Sequence, residues 1–183
     1  MEQKNISQSI KSIAWGYVLI HLHFNIGTLD LLPDWLGCLF FLDALPVLAQ
    51  FVPSAILLKP FALVLTIWAG IDWILTLFSI PFDIYLLTLL ISLIGLYFHF
   101  QLLTNLAELA RQNNCPQEKS ILHLRTARTI FATISALPLP WEQYEILFFI
   151  FIGIQLILVV WLCSVLFSFS KSLQVNIENF EEL

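Results

Sequence analysis

Long apolar runs, broken by short polar or proline-bearing stretches, set the rhythm of this chain. A helix that crosses a membrane needs about 20 mostly apolar residues, within a working range of about 17 to 25. Breaking the runs at Pro, Gly and charge clusters predicts six such helices, at residues 12–28, 35–51, 60–79, 82–103, 123–137 and 145–170. The expected fold class is all-α, a polytopic transmembrane helix bundle. Residues 1–171 form a single transmembrane domain, and residues 172–183, with Glu178, Glu181 and Glu182, form a short acidic cytoplasmic tail. The fourth span is expected to continue as a helix through residues 101–112, to end at Asn113 and Asn114, and to give way to a loop at Pro116.

The fifth span is the weakest. Too few residues lie between Arg128 and Pro138 to cross about 30 Å at 1.5 Å per residue. It spans only if Arg125 and Arg128 reach back to the inner headgroups. Thr126, Thr129, Thr133 and Ala136 share one face of it, with Ala132 alongside. Small residues let helix backbones approach closely, so this face is read as a helix-packing face. Half-insertion of this segment would leave five spans and put the C-terminus outside.

Orientation follows from the cations, because Lys and Arg in short loops favour the cytoplasmic side. With the N-terminus inside, Lys4, Lys11, Lys59, Arg111, Lys119, Arg125, Arg128 and Lys171 all fall on the inner side. These are all eight cations of the chain. The outer turns carry Asp30, Asp34, Asp83, Glu142 and Glu145 instead. Each of those turns also holds proline: residues 31–35 read LLPDW, residues 79–83 SIPFD and residues 137–141 LPLPW. Proline lacks the N–H a helix interior needs, which suits it to hairpin turns. Trp35, Tyr85, Trp141 and Tyr144 then sit at interface depth, as an aromatic belt does. Both termini are expected in the cytoplasm.

Composition agrees. Only 11% of residues are charged and 59% are hydrophobic, with a mean hydropathy of +0.87. A soluble shell needs roughly 25% charge, whereas a lipid-facing surface needs little. The net charge of −5 and the lack of a basic stripe exclude nucleic acid as a partner. Cys38, Cys115 and Cys163 are odd in number and far apart, and no Cys/His cluster accompanies them. Neither a disulfide framework, a metal site nor a cofactor is expected. His21, His23 and Asn25 interrupt the first apolar stretch and no small-x-small cleavage site follows, so the first span is read as retained.

Polar side chains within the spans carry whatever chemistry the chain has. An ionisable group in the hydrocarbon core costs about 2.5–3.5 kcal/mol, so each one needs a reason. Tyr17, His21, Asn25 and Thr28 recur at helical spacing and form one polar stripe. His23 points about 200° away from His21, so the pair does not suit chelation from one helix. Asp43 lies roughly 12 Å below the outer turn, Asp72 roughly 10 Å, and His21 and Gln155 at comparable depth. The candidate binding residues are therefore His21, Asn25, Asp43, Asp72 and Gln155, in the outer half of the membrane. In one reading they form a shared pocket for a cationic or hydrogen-bonding solute, or a proton relay. In the other they satisfy one another and fix the packing. His99 and Gln101 fall near the inner interface, where a snorkelling or capping role is expected.

Residues 25–37, NIGTLDLLPDWLG, resemble a turn motif of small, uncharacterised multi-pass membrane proteins of Gram-positive bacteria. There an Ile-Asp-x-Leu-Pro-x-aromatic-x-Gly turn joins the first two spans. The resemblance covers about residues 12–50 and implies a bacterial plasma membrane, with no activity to carry over. In size and span number the chain also looks like the substrate-binding subunits of energy-coupling-factor vitamin transporters.

Three function classes follow. The first binds or transports a small solute or ion through the outer-half pocket. The second is a non-catalytic membrane assembly protein that packs against a partner helix. An enzyme ranks behind both, because no HExxH, GxSxG or Walker motif is present and no catalytic residue is assigned. The expected partners are the lipid bilayer and either another membrane protein or an ATPase module supplied in trans.

Overall fold

In the first helix, Ile6, Ile10, Ile13, Ala14 and Tyr17 recur every three or four residues and are all buried. That stripe defines α1, Glu2–His21, in the computed structural model, which describes residues 2–21, 25–26, 29–30, 33–80, 84–137 and 145–181. The chain is all-α within these limits, apart from a two-residue antiparallel pair, β1 (Asn25–Ile26) with β2 (Leu29–Asp30). There follow α2 (Asp34–Phe51), a 3-10 turn (Pro53–Leu58), α3 (Lys59–Leu77), α4 (Tyr85–Gln112), α5 (Glu118–Ala136) and α6 (Glu145–Glu181). Residues Asp34–Phe51, Pro53–Leu77, Tyr85–Gln112 and Ile146–Val175 are long and apolar enough to cross a membrane. The polar start of α1 and the four charges of α5 keep those two helices out of that group.

Helix α1, at Glu2–His21, starts and stops earlier than the expected 12–28. The reason is physical: its first turns are amphipathic, so one buried face forms where average apolarity is still low. Beyond His21 the polar stripe does not continue as helix, since Asn25 belongs to β1. His23 and Thr28 lie outside the described residues, as do Pro81, Asp83, Pro138, Trp141, Glu142 and Tyr144 of the expected outer turns. Helix α4 runs through residue 112 as expected, and Asn113 and Asn114 close it, Asn114 at a positive φ of 52°. The acidic stretch from residue 172 begins as further turns of α6, with Leu173 buried.

Each helix packs against its neighbours in sequence, and α6 closes back onto α1. Contact is extensive between α1 and α2 and between α1 and α6, and sparse between α3 and α4. Helices α1 and α2 cross at glycine. A Cβ placed on Gly37 would lie 2.7 Å from the Gly16 carbonyl oxygen, and one on Gly16 would lie 2.9 Å from that of Gly37. Only residues without side chains permit so close a crossing.

At one end of the bundle, polar side chains tie the elements together. Ser7 Oγ donates to the Ser170 carbonyl and Ser170 Oγ to that of Ser7, each at 2.9 Å. Ser54 donates to Asn105 at 3.0 Å, and Gln117 donates to Ser168 and Ser172 at 3.1 and 2.8 Å. The buried core lies toward this end, and at the opposite end it is missing. No described side chain is buried in residues 85–97 of α4, 126–137 of α5 or 146–157 of α6. In water such apolar exposure would drive collapse; in lipid it is the ordinary outer surface.

Candidate functional site

Helices α4 and α5 run antiparallel with two faces opposed. On α4 the face is Ser92, Gly95, Leu96, His99, Phe100 and Leu103, spaced to recur on one side of a helix. On α5 it is Arg125, Arg128, Thr129, Ala132, Ser135 and Ala136. Between them lies a cavity of about 450 Å³, which His21 of α1 and Gln155 of α6 also line. Small residues make the room: a Cβ on Gly95 would meet nothing closer than Leu65, at 3.8 Å.

The arginines turn toward neighbouring helices. Arg125 Nη1 donates to Thr104 Oγ1 at 3.0 Å, and its guanidinium lies 4.5 Å from the centre of the Phe100 ring. Thr104 gives its own proton to the Phe100 carbonyl, so its oxygen is available to accept. Arg128 approaches His21 Nε2 through Nη2 at 3.3 Å, 5.0 Å above the Tyr17 ring. His21 Nδ1 lies 2.9 Å from the Tyr17 carbonyl, which only accepts, so Nδ1 carries the proton. In the neutral ring, Nε2 is then the acceptor for Arg128. Tyr17 is fully buried, and its hydroxyl meets His99 Nδ1 at 3.1 Å.

Two guanidiniums and two imidazoles thus line the cavity, and among the described residues no carboxylate does. Among the described residues Arg125 and Arg128 meet no acid, and Arg125 Nε and Arg128 Nη1 are buried without a hydrogen-bond partner. Ring faces stabilise a cation by about 0.5–2 kcal/mol, which offsets only part of the cost of removing it from water. Among the described residues the cavity wall carries positive charge with no acid set against it.

Of the residues singled out from sequence, His21 and Gln155 come together on the cavity, as do Thr129 and Ala136. Asn25 falls in β1. Asp43 and Asp72 are exposed on α2 and α3, away from the cavity, and Thr126 and Thr133 are exposed on α5. Sequence reasoning passed over Tyr17 as a contact, and His99, Arg125 and Arg128 as site residues. Their signal was present: Arg125, Arg128, Thr129, Ala132 and Ala136 fall on one helical face, and cations on a small-residue face are aimed at a neighbouring helix.

The chain matches no family model, curated protein or solved structure. The site must be read from its own chemistry.

Proposed function

We propose that this integral membrane protein binds an anionic solute in the cavity between α4 and α5. The observation that carries the reading is the pair Arg125 and Arg128 on the cavity wall, without a carboxylate partner among the described residues. A bound anion would supply the missing charge and accept from the cationic groups, a bond type worth about 1.5–3 kcal/mol each. The same reading gives the bundle six spans with both termini cytoplasmic. It draws support from Lys11, Lys59, Arg111, Lys119 and Lys171, which belong to segments tied together at one end of the bundle. The resemblance of residues 25–37 supports a bacterial plasma membrane.

Thermal unfolding of the purified protein in neutral detergent tests the binding, with inorganic phosphate, butyl phosphate and decyl phosphate as probes. Ligand at 100 times its Kd stabilises by about 2.7 kcal/mol. The expected result is a rise in Tm with at least one probe, lost in Arg125→Gln/Arg128→Gln. Indifference to all three probes would remove the reading.

Asp43 and Asp72 support a second, compatible role in assembly. Both are exposed on otherwise apolar helices and make no hydrogen bond or ion pair among the described residues. A partner helix bearing Lys or Arg would neutralise them. Asp43→Asn/Asp72→Asn should then abolish a defined hetero-oligomer on native gels, and an unchanged oligomer would exclude the role.

A further inference from the structure

We infer that the anion held here is the phosphate-type headgroup of an amphiphile, taken sideways from the membrane, an inference that rests on the anion-binding reading above. Three observations point to it. The first is the axis of the cavity. From Arg125 to Ala136, and from Leu103 to Ser92, it extends about 16 Å along the two helices. At the Arg125 end Leu103 is buried, whereas at the other end Ser92 and Ser135 are exposed.

The second is where that exposed end lies. Ser92 is about 10 Å along α4 from Tyr85, well inside a hydrocarbon layer about 30 Å thick. The helices around it expose apolar side chains: Leu86 is 75% exposed, Phe149 70% and Leu93 52%. A free ion leaving this end would meet hydrocarbon. An acyl chain would meet its own kind, and would fill the space that the outer halves of α4, α5 and α6 leave without a protein core.

The third is the donor set at the arginine end. Arg125 and Arg128 sit three residues apart on one face of α5, with His99 opposite on α4. A carboxylate offers two oxygens and is matched by one guanidinium fork. A phosphate group offers more acceptors and a larger charge, and suits two cations with neighbouring donors. The headgroup belongs at the arginine end, and the chain leads out past Ser92 and Ser135.

Native mass spectrometry on protein released from nanodiscs tests this directly. The discs are phosphatidylcholine alone, or phosphatidylcholine with a minor fraction of phosphatidic acid. The expected result is retained phosphatidic acid on the wild type and little phosphatidylcholine. Arg125→Gln/Arg128→Gln should lower the retained fraction about tenfold or more, the loss of one charge-assisted hydrogen bond or more. Ala132→Leu keeps every charge and fills the channel; it should lose decyl phosphate binding and keep any response to inorganic phosphate. It also carries the test if the arginine variant does not fold.

The outcomes separate. Equal stabilisation by inorganic phosphate and decyl phosphate would overturn the amphiphile inference and leave the anion site intact. Phosphatidic acid retained equally by wild type and both variants would mean binding at the protein surface, which also overturns it. No response to any anion would remove the anion site and this inference together.

Discussion

Adding one methyl group to Gly37 tests the crossing of α1 and α2. The new Cβ would lie 2.5 Å from Ile20 Cγ1 and 2.7 Å from the Gly16 carbonyl oxygen. The isoleucine can rotate, but the carbonyl belongs to a helix backbone and moves only with it. Restoring an ordinary contact of 3.4 Å requires the helices to part by about 0.7 Å, the difference of the two distances. A gap of 0.5–1 Å forfeits about a quarter to a half of the dispersion between facing atoms. Across this crossing that includes the Tyr17–Phe41 ring pair, with centroids 5.1 Å apart. Overpacking of this kind costs about 1–3 kcal/mol, and the better helix propensity of alanine returns at most about 1 kcal/mol. Gly37→Ala should therefore lose about 1–2 kcal/mol, whereas Gly70→Ala and Gly153→Ala, with nothing within 4 Å, should be neutral or slightly stabilising. Denaturant unfolding in mixed micelles, followed by circular dichroism, measures all three variants against wild type. If Gly37→Ala proves as stable as Gly153→Ala, the close crossing is wrong.

Three further expectations can be checked with simple variants or labels. Each serine of the reciprocal Ser7–Ser170 pair donates to the other's backbone carbonyl, so Ser7→Ala and Ser170→Ala should each cost about 0.6 kcal/mol, the average for such bonds in membrane helices; no loss in either variant would count against the pair. A reporter inserted at Asn114 should report cytoplasmic and one at Ser79 external, and the same side for both would sink the six-span topology. Cys115, in the turn after α4, is 4% exposed, and burial pushes its thiol above the ordinary range. Because the thiolate is the reactive form, maleimide labelling at neutral pH should be slower in the folded protein than in denaturant and should climb only at higher pH; equal rates would refute this.

Hydrophobic runs were enough to locate α2, α3, α4 and α6, because in lipid a helix must satisfy its backbone internally and apolar length is a direct signal of it. They failed at α1, whose burial comes from periodicity rather than average apolarity, as Ile6 and Ile10 illustrate. The site was legible only in part. Depth along each helix put His21, Asp43, Asp72 and Gln155 at one level, but depth contains no lateral information, and of these only His21 and Gln155 line the cavity. Arg125 and Arg128 were expected at the inner headgroups on the condition that the fifth segment crosses. Their actual direction depends on Thr104, Phe100 and Tyr17, partners on other helices that no local pattern in α5 announces.

The joining of α1 to α6 has a consequence for biogenesis. Ser7 and Ser170 are separated by 163 positions in the chain, so a ribosome working at about 5–20 residues per second needs roughly ten to thirty seconds to make the second after the first. Through that interval the nascent α1 has only α2 to cover one of its two contact faces. The other waits in the bilayer or against the insertion machinery until the last helix arrives. Assembly of this protein therefore finishes at its final span, and a stall before residue 158 would leave every earlier helix made and the bundle open along one seam.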